Sequence, residues 1–235
     1  MLWETNPRFK IGVDTAPVTH GNFMDWREQN DVFEHVSAMG VGRWNLTGSG
    51  DPERVSGASV SANFFRLMGS EPALGRGFSD DEENPGATRV VVISYNLWQQ
   101  RFASDHDIIG RSMTLDGKVC TIVGVAPKEF NYPRAKELPY FVGVETQTDL
   151  WRPMTLGEDF IKKSRANHQL CVIARLRPGV TRERAQSEMT ALAERLERSY
   201  PDSNQGIGIR VVPLNEQVTG TVRPALLILL GAVAL

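Results

Sequence analysis

The sequence predicts an α+β fold, or a mixed α/β one, in two small lobes. Three observations predict it: short strand-like apolar runs alternating with helical ones, an Asp-Gly hairpin signal inside residues 111–126, and a strand–helix–strand unit at 168–214. The chain has 235 residues, 41% hydrophobic and 23% charged. That supports one large domain or two small ones, and the even spread of apolar residues argues against disorder. A formal charge of −2 gives no electrostatic case for nucleic acid, which calls for a basic face.

Residues 1–21 read as irregular, with Pro7 and Pro17. Asn22 suits the N-cap of a helix to about Met39, with Phe23, Trp26, Phe33 and Val36 on one face. Residues 40–57 are Gly-rich and polar, as strand ends and turns are. Ser61 or Asn63 then caps the short helix FFRLMG, which Gly69 stops. A loop over 70–89 carries the acidic run DDEE. RVVVIS (89–94) is a buried strand, and Ser94 caps a helix YNLWQQRFAS. Asp116-Gly117 suits the positive φ positions of a type I′ turn. Residues 127–168 are loop-rich, with one strand near DLWRPM.

The last third is the most regular. HQLCVIARL (168–176) alternates as a strand, and Pro178-Gly179 turns the chain. Thr181 caps a long helix to about Tyr200, with Ala185, Met189, Leu192 and Leu196 in one apolar stripe. Pro201 ends it, and IGIRVVPL (207–214) is a strand. A crossover helix of that length favours parallel strands.

No motif announces chemistry. His20, His35, His106 and His168 share no ligand spacing with Cys, Asp or Glu, so no metal site is expected. No Ser sits in a G-x-S-x-G elbow. GSEPALGRG (69–77) superficially resembles a phosphate loop but lacks the Lys-Ser/Thr and follows a helix; GVGRWN (40–45) opens no helix. Both read as turns, and no nucleotide or other cofactor site is expected. DDEE (80–83) reads as a solvated loop before it reads as a calcium site. Cys120 and Cys171 read as small core residues, and a disulfide between them stays open. Trp26 and Trp98 read as core; Trp3, Trp44 and Trp151 are undetermined. The expected set of catalytic, cofactor and metal residues is therefore empty.

Five segments in order carry a resemblance: VSANFFRLMGSEPALGRGFSDDE, VVVISYNLWQQRF, IIGRSMTLDGKVCTIVGVAP, RLRPGVTRERAQSEMTALAERLERSYPDSNQG and VVPLNEQVTGTVRPALLILLGAVAL. Together they resemble the extracytoplasmic core domain of MacB-type ABC transporter permeases, especially an acidobacterial-type subgroup that the LWETNPRF start also fits. The resemblance implies a porter-like βαβ lobe, residues 1–85 with 165–218, and an inserted mixed α/β lobe, residues 86–164. It implies that 223–235 begin a truncated transmembrane helix. The implied role is non-catalytic: coupling ATP hydrolysis by a cytoplasmic ABC ATPase to export or other work across the membrane. The implied place is the extracytoplasmic face of a bacterial inner membrane, with a homodimer and an adaptor protein as further partners left open.

The chain departs from the family pattern at its ends. No transmembrane helix precedes Met1, MLWETNPRFK is no signal peptide, and the final run from Ala225 supplies eleven apolar residues where a span needs about 20. A piece of a longer protein, natural or engineered, is the expectation. Two competing readings stand beside this one. One is a stand-alone extracytoplasmic module binding a ligand or adaptor. The other is a soluble hydrolase with a site of scattered residues.

Overall fold

The computed structural model describes residues 1–7, 15–48, 50–133 and 147–219. The expected start of a transmembrane helix at 223–235 lies outside the described residues. The irregular start is corrected at once: Leu2–Thr5 is a strand (β1) and Val18–Thr19 another (β2), both too short to show a period. The first helix, α1, spans His20–Glu28. Its cap is Thr19, whose Oγ1 accepts from Asn22 N at 3.3 Å, so Asn22 is not the cap.

That helix stops well short of Met39, and Asn30 is the reason. Its Nδ2 donates to Trp26 O at 2.7 Å, and its Oδ1 accepts from Phe33 N at 2.8 Å. One side chain thereby closes the last turn and launches the strand β3, Phe33–Thr47. Phe33 and Val36 continue the apolar run in a strand, and GVGRWN lies inside β3 instead of in a turn.

The remaining elements follow the residue chemistry closely. Glu53–Val60 (β4) returns along β3, and Phe64–Met68 (α2) ends at Gly69, whose φ of 67° is left-handed. Leu74–Gly75 (β5), a 3-10 turn at Asp80–Glu83 and Val90–Ile93 (β6) follow. Ser94 caps Tyr95–Phe102 (α3), accepting from Leu97 N at 3.0 Å. Ser112–Leu115 (β7) and Lys118–Val125 (β8) form the Asp-Gly hairpin, with φ of 46° at Asp116 and 74° at Gly117. Next come Leu150–Pro153 (β9), Glu158–Lys163 (α4) and His168–Leu176 (β10). Arg182–Ser199 (α5), Pro201–Asn204 (α6), Gly208–Val211 (β11) and Leu214–Thr219 (α7) complete the described chain.

Among the described residues the strands form one sheet in the order β11-β1-β10-β3-β4-β9-β6-β8-β5. β10 and β11 each pair antiparallel with β1, so they run parallel to each other with β1 between them. The βαβ unit is thus present in split form. Helices α1 and α5 cover one face, burying Phe23, Trp26, Met189, Leu192 and Leu196 with Leu2 and Val172. α2 and its aromatic neighbours cover the other face.

β3 is long enough to serve two layers. Its first half pairs with β10, and its second half with β4 and β7. Because β7 also pairs with β8, the strands close a ring, β3–β4–β9–β6–β8–β7–β3. Leu46, Val91, Ile93, Met113, Ile122 and Leu150 share one packed core there. Along β6, Val91 and Ile93 join that core while Val90 and Val92 join the α2-side core. Both faces of β6 are buried, which explains its unbroken apolar run.

The outer edge of β11 is closed by a side chain. Gln186 on α5 donates from Nε2 to Ile209 O at 2.7 Å and accepts from Val211 N at 2.9 Å at Oε1, as a neighbouring strand would. Gln186→Ala is expected to lower stability by about 1–2 kcal/mol through two lost hydrogen bonds. Faster amide exchange at Val211 in the variant checks it.

Candidate functional site

Gly42 and Gly57 lie opposite each other in the β3/β4 ladder. Neither position has room for a side chain. A Cβ on Gly57 would meet Leu150 O at 2.5 Å and the Trp44 ring at 2.9 Å; one on Gly42 would meet that ring at 3.0 Å. The two glycines therefore leave a flat stretch of backbone, and the Trp44 indole lies across it. Arg152 completes the stack. β9 runs parallel to β4 with Arg152 beside Ser59, and the guanidinium sits 4.9 Å from the Trp44 ring centroid. Arg152 Nε donates to Ser59 Oγ at 2.9 Å. Gly57→Ala is expected to cost about 2 kcal/mol, because the obstacle is backbone, and to disturb this stack. A fall in melting temperature together with altered near-UV circular dichroism checks it.

The stack belongs to an open groove of 630 Å³. Phe160 of α4 meets His20 edge-on, ring centroids 5.0 Å apart, and Met154, Leu156 and Leu170 add apolar lining. His168 also lines the groove. Its Nδ1 lies 3.0 Å from Pro17 O and 2.9 Å from Glu4 Oε2. Glu4 is fully buried. Its Oε1 accepts from Thr19 N at 2.9 Å, Thr19 Oγ1 at 3.3 Å and Asn22 Nδ2 at 2.8 Å. Asn22 Oδ1 in turn accepts from Asn204 Nδ2 at 2.8 Å. This network ties β1, α1, β10 and α6 together behind the groove. Glu4 raises the His168 pKa above its ordinary value, whereas burial lowers that of His20. His20 Nδ1 is buried without a hydrogen-bond partner among the described residues.

The four histidines, distant in sequence, are not all distant in space, since His20 and His168 share this groove. His106 packs edge-on against Trp98 at 5.6 Å, and His35 lies in β3 opposite Arg175. Among the described residues no group of three or more His, Cys, Asp or Glu is placed to hold a metal ion. Cys120 and Cys171 are both buried and free, in different cores, and burial raises both thiol pKa values. The acidic run departs from a solvated loop. Burial opposes the charge on Glu82, but Arg76, at 2.7 Å, and Ser79 N, at 2.9 Å, outweigh it and hold its pKa low. Glu83 accepts from Arg27 at 2.8 Å and from Ala62 N at 2.6 Å. In 69–77, Gly69 ends α2 and Gly75 sits in β5, so the stretch is a helix cap and a short strand. All five tryptophans are buried.

The other notable feature is where the chain enters and leaves. Leu2 pairs with Val211 and Thr5 with Gly208, and Val212 N donates to Met1 O at 2.9 Å. Helix α7 is held to this end: Trp3 Nε1 donates to Gln217 Oε1 at 3.0 Å, Glu216 lies 3.9 Å from Arg182, and Leu214 packs on the α2-side core.

An α+β domain of this architecture has solved counterparts among permease domains. The periplasmic region of MacB from Actinobacillus actinomycetemcomitans superposes with a TM-score of 0.59 at 12% identity, covering 94% of this chain and 91% of that one. A domain of a protein described as a permease from Porphyromonas gingivalis superposes with a TM-score of 0.63 at 17% identity, covering 90% of this chain and 88% of that one. Residues 5–192 match the MacB-like periplasmic core domain, and the chain belongs to that family. It is also 32% identical over 90 residues to a probable syringafactin export ATP-binding/permease protein, SyfD, of Pseudomonas syringae pv. syringae (strain B728a). That match spans 38% of this chain and 14% of the relative. The chain is thus a periplasmic domain of an ABC-type permease.

Proposed function

We propose that this domain is a non-catalytic coupling element. In a parent permease of the bacterial inner membrane it would follow the nucleotide state of a cytoplasmic ATPase and turn it into export or other mechanical work. The observation that carries this reading is the shared end of β1 and β11, with α7 fastened beside them. Segments entering at Met1 and leaving after α7 would pull on two adjacent hydrogen-bonded strands. Trp3 and Leu214 would pass that motion into the α2-side core without slack. The division into a porter-like lobe, 1–85 with 165–218, and an inserted lobe, 86–164, belongs to the same proposal, with β3 as the strand shared between them. A homodimer and an adaptor protein are the further partners it accommodates.

A short Gly-Ser insertion between Val212 and Leu214 tests the coupling in the parent permease. ATP hydrolysis should persist while export falls to background, with the melting temperature of the 235-residue chain carrying the same insertion little changed. Unimpaired export by the insertion variant contradicts the reading.

A further inference from the structure

Among the described residues Arg152 is the one arginine lining the groove, and no carboxylate lies within ion-pair distance of it. Ser59 occupies its Nε and Trp44 its face, so the plane of the guanidinium is set while Nη1 and Nη2 have no acceptor there. Those two nitrogens form the fork that holds both oxygens of a carboxylate. Among the described residues no Asp or Glu lines the groove, and because Glu4 pairs with His168 and burial disfavours the charged form of His20, its charge comes from Arg152. Its charge therefore selects for an anion. Beside Arg152 the lining turns apolar through Met154, Leu156 and Phe160, and Phe160 is 49% exposed with nothing described covering it.

We propose that this groove binds a small amphipathic carboxylate, with its head on the Nη1/Nη2 edge of Arg152 and its apolar body along Met154, Leu156 and Phe160. A groove of 630 Å³ is within the size range of small-ligand sites and has room for a body of roughly ten carbon atoms. The Trp44–Arg152 stack holds the guanidinium ready, so little side-chain freedom is lost on binding. The inference rests on the groove and not on the permease reading, because it is tested on the isolated 235-residue chain without nucleotide or membrane.

Isothermal titration calorimetry with decanoate, decyl phosphate, decyltrimethylammonium and acetate tests it. Decanoate should bind roughly tenfold or more tightly than decyltrimethylammonium, and acetate should show no heat at the same concentrations. Arg152→Gln should weaken decanoate by roughly tenfold. Phe160→Ala, at an exposed position that folding tolerates, should weaken it several-fold. Arg198→Gln, outside the groove lining, should leave it unchanged. Equal binding of the cationic amphiphile, or undiminished decanoate binding by a folded Arg152→Gln, overturns the proposal. Tighter binding of decyl phosphate than of decanoate overturns the carboxylate assignment.

Discussion

Met189→Asp is expected to leave the chain without a cooperative fold at ambient temperature. Met189 is 0% exposed, on the α5 stripe that packs against β1 and β10 with Ala185, Leu192 and Leu196. Truncating a buried Met costs about 2–5 kcal/mol, and an unpaired carboxylate in its place adds several more. Domains of this size hold roughly 5–15 kcal/mol in total, so the sum reaches the margin. Met189→Leu keeps volume and apolarity and should cost less than about 1.5 kcal/mol. Arg195→Asp places the same charge on the exposed face and should cost under about 1 kcal/mol. Thermal melts of the three variants check the ranking. A Met189→Asp melt overlaying the wild-type curve shows that the stripe does not face the core.

Glu4→Ala is expected to destabilise the fold by about 3–5 kcal/mol. Nothing else among its described neighbours can replace the acceptor shared by Thr19 N, Thr19 Oγ1 and Asn22 Nδ2. Thr19 caps α1 and Asn22 holds Asn204, so the damage spreads to two helices. The same network carries a pH signature. Because the folded pKa of His168 is raised above the unfolded value, its contribution is fully present below the unfolded pKa and fades as pH rises through the folded one. His20, with a lowered pKa, works in the opposite sense as pH falls, so the clean comparison is with His168→Gln. The stability gap between wild type and His168→Gln should be wider at pH 6 than at pH 8.5 in urea titrations. A gap that stays constant across that range contradicts the Glu4–His168 coupling.

Much of the architecture was legible wherever local chemistry decided the outcome. Ser94, Thr181, Gly69 and Asp116-Gly117 act as cap, cap, stop and turn because each bonding or φ requirement is met within a few residues. The stripe on α5 was readable because one face of a long helix is buried. Elsewhere tertiary pairing overrides a local period. Phe33 and Val36 fall at helical spacing after Phe23 and Trp26, but Asn30 breaks the helix and β10 recruits the next residues as a strand.

The groove was less legible still. Its Trp44 ring rests against Gly42 and Gly57, its charge comes from Arg152 and its wall from His20 and Phe160, which only the folded sheet brings together. The available signal was two glycines inside strand-like runs flanking a tryptophan, since a glycine within a strand marks close approach. The closed strand ring has no sequence signature, because it depends on β7 pairing with both β3 and β8.

As a coupling element, the domain is expected to move with nucleotide state through its β1/β11 end. Energy transfer from a donor dye to acceptor-labelled lipid tests it most directly, in the parent permease in liposomes. Val119 is 61% exposed on β8, far along the sheet from β11, and the native thiols of Cys120 and Cys171 are buried, so Val119→Cys in a parent whose other cysteines are replaced by serine accepts the dye selectively. Adding ATP on the ATPase side should change the transfer efficiency, and the Gly-Ser insertion between Val212 and Leu214 should abolish that change. Identical efficiency with and without ATP in the uninterrupted protein would contradict the account.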